Sequence, residues 1–210
     1  ISYFRPTIKS VNEMLSKMKP VVNSELTVDA LLNVLAGIKL YGEYFQLTAN
    51  PEYGEVYADL LKGFAQFVNQ HPSEAIYQLN ERKNMWIQGE KIFQNWTVLE
   101  ASPYFSDSDR TKILSALYLV CKANYMDNYL VKAPESGPRW NHEIFPALSL
   151  VGSCQYFEKY YSLPETVQWK NRGERIFSGN TSYISLDEGS DYLAHLPVAN
   201  IDYAMLSGDL

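Results

Sequence analysis

The stretch at residues 27–48, TVDALLNVLAGIKLYGEYFQLT, repeats its apolar residues at steps of three and four. That spacing matches the turn of an α-helix and puts the apolar side chains on one face. Asn50 and Pro51 follow, and these residue types are common at the cap and the first turn of a helix. The sequence therefore predicts a helical hairpin, with helices over residues 27–48 and 51–70, the second ended by His71 and Pro72.

The same pattern continues along the rest of the chain. Apolar spacing predicts further helices over 84–100, 107–129, 138–161 and 165–178, and Ser106 with Asp109 forms an acidic capping box before the second of these. A last helix is predicted around Tyr192, His195 and Tyr203. The chain turns over near 49–51, 102–107 and 162–164, about 56 residues apart. Only a short piece at 181–186 has a strand-like pattern.

Helical hairpins that recur at this length are typical of an α-solenoid or of an α/α toroid, in which hairpins close into a ring around a cleft. Tetratricopeptide and ankyrin arrays are disfavoured because their repeats are about 34 residues long, shorter than the hairpin spacing in this chain. We expect an all-α fold whose antiparallel hairpins form an incomplete α/α toroid, as a single domain over residues 1–210. The remainder of the toroid, or further domains, is an expected partner.

The composition excludes several classes of protein. The chain has 210 residues, 46% hydrophobic and 20% charged, which is typical of a globular protein and not of a disordered one. Its net charge of −6 has the wrong sign for holding nucleic acid through phosphate contacts. No apolar run approaches the roughly 20 residues that cross a bilayer. We therefore expect no nucleic-acid partner and no membrane insertion.

The two cysteines, Cys121 and Cys154, are too few for a disulfide framework and lack the spacing of metal ligands. We expect two buried thiols, with a single bridge as the alternative. Neither a metal nor a cofactor is expected.

The densest group of chemically active residues is Arg139-Trp140-Asn141-His142-Glu143, where a Gly-Pro loop becomes an apolar helix. One interpretation is a capping Asn141 with a solvated His142 beside it. The functional interpretation is that both project from a helix N-terminus, where free amides and partial positive charge favour a carboxylate. Arg139 and Trp140 then supply a charge partner and a flat surface for a sugar ring.

A second group lies around the Gly-containing loop at residues 187–195 and continues to Tyr203. Tyr192 and His195 share a helical face because they are three residues apart, and Tyr203 falls within about 80° of His195. The alternative interpretation is a capped last helix whose aromatic residues pack inward. Two of the three histidines of the chain, His142 and His195, lie beside Gly-containing loops, which favours a site.

A third group contains Trp86, Gln88 and Glu90, with Asn95 and Trp96 one to two turns later. The first three cannot share one helical face because they are only two residues apart. The group is interpreted either as simple packing or, for Trp86 and Gln88, as sugar-binding positions at the cleft.

Trp140-Asn141-His142-Glu143, followed about 50 to 60 residues later by Tyr192, His195 and Tyr203, resembles the α/α-toroid polysaccharide lyases. These include alginate lyases, heparinase-like enzymes, and chondroitin and hyaluronan lyases, and the resemblance covers about residues 139–203. It implies a secreted or periplasmic enzyme that cleaves an acidic, uronate-containing polysaccharide by β-elimination. It also implies roles for five residues: Asn141 as carboxylate neutraliser, His142 as its partner or the base, His195 as a second candidate base, and Tyr192 or Tyr203 as the acid.

Two other functions fit the same fold. A glycoside hydrolase would use a pair of carboxylates, with Asp187, Glu188 and Asp191 as candidates. A non-catalytic helical module would instead bind glycan or protein through aromatic residues such as Trp86 and Trp140.

Overall fold

All regular structure in the described residues is α-helical. The computed structural model describes residues 8–18, 25–81, 89–133, 138, 141–178 and 195–208, and no strand occurs in these ranges. The helices are α1 (Ile8–Ser16), α2 (Glu25–Thr48), α3 (Pro51–Gln70), α4 (Pro72–Glu81), α5 (Gly89–Leu99), α6 (Asp107–Tyr125), α7 (Asn128–Lys132), α8 (Asn141–Tyr160), α9 (Glu165–Ser178) and α10 (His195–Ser207). The all-α class is therefore confirmed, and the strand-like piece at 181–186 lies outside the described residues.

Helices α2 and α3 form the hairpin that the apolar spacing predicts, and they pack along each other. Asn50 fixes the turn, because its side-chain oxygen accepts a hydrogen bond from the backbone N–H of Glu52 at 3.0 Å, and Pro51 opens the first turn of α3. This bond satisfies an amide that has no partner inside the helix. Ala49 has a φ of 51°, the left-handed conformation that commonly ends a helix.

The acidic capping box before α6 is confirmed. The Ser106 hydroxyl accepts from the backbone N–H of Asp109 at 3.2 Å and donates to the Asp109 carboxylate at 2.7 Å, and the Ser106 backbone N–H donates to the same carboxylate at 3.0 Å. The hydrogen bonds from the Ser106 hydroxyl and backbone lower the pKa of Asp109 below its usual range. The cap therefore needs the ionised form of Asp109.

We expect Ser106→Ala to lower the free energy of unfolding by about 1 kcal/mol at neutral pH, the usual cost of losing a cap. Because the pKa of Asp109 is lower in the folded state, its contribution is full above the unfolded value of about 3.9 and is lost as the pH falls through the folded value. Urea unfolding of both proteins should show the difference shrinking in strong acid. A difference that is independent of pH would contradict a cap that depends on the carboxylate.

The long helix predicted over 107–129 is wrong at its C-terminal end. Helix α6 stops at Tyr125, and α7 starts three residues later. The break occurs at Asp127, a buried residue whose carboxylate accepts from the backbone N–H of Leu130 at 3.0 Å. A side chain that caps a new helix competes with continuing the old one.

The chain divides into two compact units. Unit 1 is Ile1–Gln78 with Asn95–Leu119, and unit 2 is Leu79–Gln94 with Val120–Leu210. In unit 1, α1 packs on α2 and α3. Its fully buried side chains include Leu31, Leu35, Ile38, Tyr57, Phe64 and Trp96.

Unit 2 is organised around α8. Helix α9 runs antiparallel to it, since the Cys154 thiol lies 3.4 Å from the Thr166 carbonyl oxygen at one end and Gly173 packs on Ala147 toward the other. Helix α10 runs parallel to α8. His195 contacts Phe145 near the N-terminal ends of the two helices, and Gln155 donates to the Leu206 carbonyl toward their C-terminal ends. One end of this three-helix group therefore contains the N-terminal ends of α8 and α10 and the C-terminal end of α9. We call it the site end.

Both cysteines lie in unit 2 as free, buried thiols, which confirms the first of the two expectations for them. Burial raises the pKa of Cys154 to about 12 and that of Cys121 well above its usual range. Both groups are therefore protonated thiols at neutral pH and act as small core side chains.

Candidate functional site

The predicted site residues that the structure describes are all in unit 2. They are Asn141, His142, His195 and Tyr203. The other predicted members lie outside the described residues. These are Trp86, Gln88, Arg139, Trp140 and Tyr192, together with the carboxylates Asp187, Glu188 and Asp191 of the hydrolase alternative.

Residues 141–143 of the predicted motif form the first turn of α8. Asn141 is the first helical residue, which places it at a helix N-terminus as predicted, while its side chain is not described. His142 is partly buried and Glu143 is fully buried. The unpaired amides of a helix N-terminus and its partial positive charge stabilise a nearby carboxylate, and a neutral imidazole there can donate a further hydrogen bond.

The second histidine reaches the same end of α8 from α10. The His195 ring lies 5.5 Å from the ring of Phe145, in an edge-on arrangement at 68°. Phe145 follows His142 by three residues, so their side chains share a face of α8. The fold therefore brings His195 against the first turns of α8, the helix that carries His142, 53 positions earlier in the sequence.

Tyr203 packs against α9. Its ring stacks on Phe177 of α9, with centroids 4.3 Å apart and planes within 8° of parallel. Eight residues of helix separate it from His195, a rise of about 12 Å. The stack on Phe177, next to the last residue of α9, places the ring toward the site end. The stack holds the ring of Tyr203 against α9.

Two arginines on α9 donate hydrogen bonds to carbonyls at the C-terminal ends of two other helices. Arg172 donates to the Tyr125 carbonyl at the C-terminal end of α6. Its guanidinium lies over the Tyr125 ring, 3.7 Å from the ring centroid. Arg175 donates to the carbonyls of Leu130 and Ala133 at the finish of α7, at 3.3 and 3.4 Å. Cations at helix C-termini compensate the partial negative charge of those ends. Both side chains therefore stabilise the α6–α7 region.

In the third predicted group, the residues that the structure describes are buried packing residues. Glu90, Asn95 and Trp96 are buried, Asn95 and Trp96 in unit 1 and Glu90 in unit 2. Asn95 donates to the Lys39 carbonyl at 2.9 Å and accepts from Gln46 at 2.6 Å. The Ser149 hydroxyl accepts from the Gly89 N–H at 2.9 Å and lies 3.4 Å from the Glu90 carboxylate. These residues have no free surface for a sugar.

The burial of Glu143 is the feature that the sequence pattern does not reveal. Its carboxylate is in the first turn of α8, directly after His142, and it has no exposed surface. A buried carboxylate needs hydrogen-bonding or charged partners, and the helix N-terminus favours it. The sequence pattern also does not reveal the ring contacts of Phe145 and Phe177. For Phe145, the three-residue spacing from His142 was an available signal.

No three His, Cys, Asp or Glu side chains are grouped closely enough to hold a metal ion in the described part of the chain. Among the same residues, no helix is both long and apolar enough to span a bilayer. Comparisons with protein-family models, curated proteins and solved structures find no match to this chain.

Proposed function

We propose that this chain is part of an α/α-toroid polysaccharide lyase that cleaves a uronate-containing glycan by β-elimination. The observation that carries the proposal is the contact of the His195 ring with Phe145, three residues after His142 in the first turns of α8. The two antiparallel hairpins, α2–α3 and α8–α9, support a toroid, whose repeating element is a helical hairpin.

β-Elimination makes three demands on such a site. The proton on C5 of a uronate becomes acidic only when the neighbouring carboxylate is neutralised, because its removal places further negative charge on that group. A base then takes the proton, a double bond forms between C4 and C5, and the bond from C4 to the glycosidic oxygen breaks. An acid protonates the departing oxygen, which leaves an unsaturated uronate at the new non-reducing end.

The residues at the site end are suited to these demands. The amides at the N-terminus of α8, with Asn141 and His142 as donors, neutralise the carboxylate where charge develops. His195 is the candidate base, with His142 as the alternative, and a phenol from Tyr192 or Tyr203 protonates the leaving oxygen. Arg139 and Trp140, which precede Asn141 directly in the sequence, are assigned to substrate binding. The substrate polymer and the class of enzyme imply a secreted or periplasmic protein.

The direct test is the ultraviolet absorbance of the unsaturated product, measured with the purified chain on alginate, polyglucuronate and glycosaminoglycans. We expect absorbance to rise with at least one polymer. Reducing ends that appear without absorbance would support the glycoside hydrolase instead. Binding without cleavage, weakened by Trp140→Ala but not by His142→Ala, would support the non-catalytic module.

The acid can be assigned with two substitutions, Tyr192→Phe and Tyr203→Phe. We expect one of them to lower kcat by about 100-fold or more, since general acid catalysis typically contributes that much, and the other to change it by less than about threefold. Tyr203→Phe keeps the ring that stacks on Phe177 and removes only the hydroxyl. Full activity in both variants would exclude a tyrosine acid.

A further inference from the structure

A cluster of buried polar side chains joins α5, α6 and α8 inside unit 2, and none of its members has a role in the proposed elimination. Glu90 of α5 is 1% exposed, and Asn124 of α6 and Ser149 of α8 have no exposed surface. Burying a polar group is costly unless the group finds hydrogen-bond partners. The partners of these three side chains therefore determine what the cluster can hold.

The side-chain amide of Asn124 has no hydrogen-bond partner among the protein groups that the structure describes. Its nitrogen and its oxygen are both buried, and neither is bonded. Asn95 of unit 1 shows the ordinary arrangement, because it is buried as well, yet its amide donates to the Lys39 carbonyl and accepts from Gln46. Buried amides without any partner are rare in native proteins. The Asn124 amide therefore indicates a bound group that is not part of the chain.

Gly89, the first residue of α5, leaves space beside this amide. Its backbone N–H donates to the Ser149 hydroxyl at 2.9 Å, which fixes the start of α5 against α8. A Cβ at Gly89 would lie 3.0 Å from the Ser149 hydroxyl oxygen and 3.6 Å from Nδ2 of Asn124. The place that a side chain would fill is thus bordered by two polar groups, one of them without a partner.

The Glu90 carboxylate borders the same cluster. One of its oxygens lies 3.4 Å from the Ser149 hydroxyl oxygen. A direct O–H···O hydrogen bond is normally about 2.5–3.0 Å long, so this contact is weak. A carboxylate with almost no exposed surface gains from every further donor. A group that donates to Glu90 and accepts from the Asn124 amide would satisfy both side chains.

We propose that Glu90, Asn124 and Ser149 form an internal hydration site, in which bound water bridges the Asn124 amide to the other two side chains. Water both donates and accepts, so it can pair with either end of the amide. A cation would be repelled by the amide NH2 group, and an anion would be repelled by the Glu90 carboxylate. The water connects α5 to α6 and α8, and the inference is independent of the lyase function.

Replacing Asn124 with leucine tests the bridge, because leucine has a similar shape and no polar side-chain atom. We expect Asn124→Leu to lower Tm by about 3 °C or more, since Glu90 and Ser149 lose the water that Asn124 holds. Asn95→Leu is the matched reference, and its Tm should fall by a similar amount because its amide is paired within the protein. A higher Tm for Asn124→Leu would overturn the proposal, because removal of an unpaired buried amide is stabilising.

A crystal structure of the unaltered chain gives a readout that needs no variant. We expect an electron-density peak about 2.7–3.2 Å from the Asn124 amide and from Ser149 or Glu90. Gly89→Ala should abolish this peak, because the new methyl group takes up the space. An Asn124 amide bonded directly to protein groups, with no peak, would overturn the proposal. So would a Tm that rises when Na⁺, K⁺, Mg²⁺ or Ca²⁺ is added at constant ionic strength with a peak at the cluster, which would identify a cation site.

Discussion

Replacing His142 with alanine is expected to lower kcat/KM on the cleaved polyuronate by about 100-fold or more. A positioned acid, base or oxyanion donor typically contributes a factor of this size, and His142 is assigned one of these roles at the N-terminus of α8. Initial rates of product absorbance at several substrate concentrations would give kcat and KM separately. The loss should be mainly in kcat, because the interaction strengthens as charge develops.

His71 is the matched control for this substitution. It follows α3 in unit 1, where its backbone N–H donates to the Phe67 carbonyl and its ring lies 5.5 Å from that of Phe67. His71→Ala removes the same side chain from unit 1, which contains none of the proposed catalytic residues, so kcat/KM should change by less than about twofold. Thermal unfolding of both variants would separate lost chemistry from lost folding. An active His142→Ala enzyme with near wild-type kcat would remove His142 from the mechanism.

Gly173→Ala is expected to lower the free energy of unfolding by about 2 kcal/mol. A Cβ at this position would lie 2.8 Å from the Ala147 carbonyl oxygen and 2.9 Å from a methyl carbon of Val151. The oxygen belongs to the backbone of α8, so relief requires the two helices to separate, and overpacking of this kind typically costs about 1 to 3 kcal/mol. Because α9 carries Phe177 at the site end, the activity should fall as well.

Gly37→Ala is the matched control, because it is the same change inside α2 of unit 1. There the new Cβ would meet the ends of two flexible side chains, Leu60 at 2.8 Å and Met14 at 3.4 Å. These ends can move, and alanine is favoured over glycine in a helix by up to about 1 kcal/mol. We therefore expect no loss of stability at Gly37, measured by urea unfolding. Equal losses at the two positions would contradict close packing of α8 and α9 as the cause.

The hairpins were predictable because local signals determine them. The apolar spacing in α2 and the Asn50-Pro51 pair specify where one helix ends and the next begins. Ser106 and Asp109 do the same for α6, through hydrogen bonds between residues three apart. Each of these interactions is complete within a few residues, so the sequence alone contains it.

Other features depend on contacts between distant residues. Asp127 ends α6 because a buried carboxylate caps α7, and nothing in the periodicity of residues 107–129 indicates that burial. The sequence predicts Pro72 as a stop for α3, and Pro72 also begins α4, a dual role that proline permits.

The geometry of the site is also a product of the tertiary fold. The Phe177–Tyr203 stack and the His195–Phe145 contact each join residues from different helices. Sequence spacing could place His142, His195 and Tyr203 near helix ends. It could not show that α10 runs parallel to α8, which is what brings His195 to the first turns of α8.

The mass of the cleavage products tests the lyase function most directly. The full chain would be incubated with polyglucuronate, alginate and unsulfated chondroitin, and the oligosaccharides analysed by mass spectrometry. Elimination consumes no water, so we predict products that carry an unsaturated terminal uronate and are lighter than hydrolysis products by one water molecule. Products with the mass expected for hydrolysis, or intact polymers after incubation with folded protein, would contradict it.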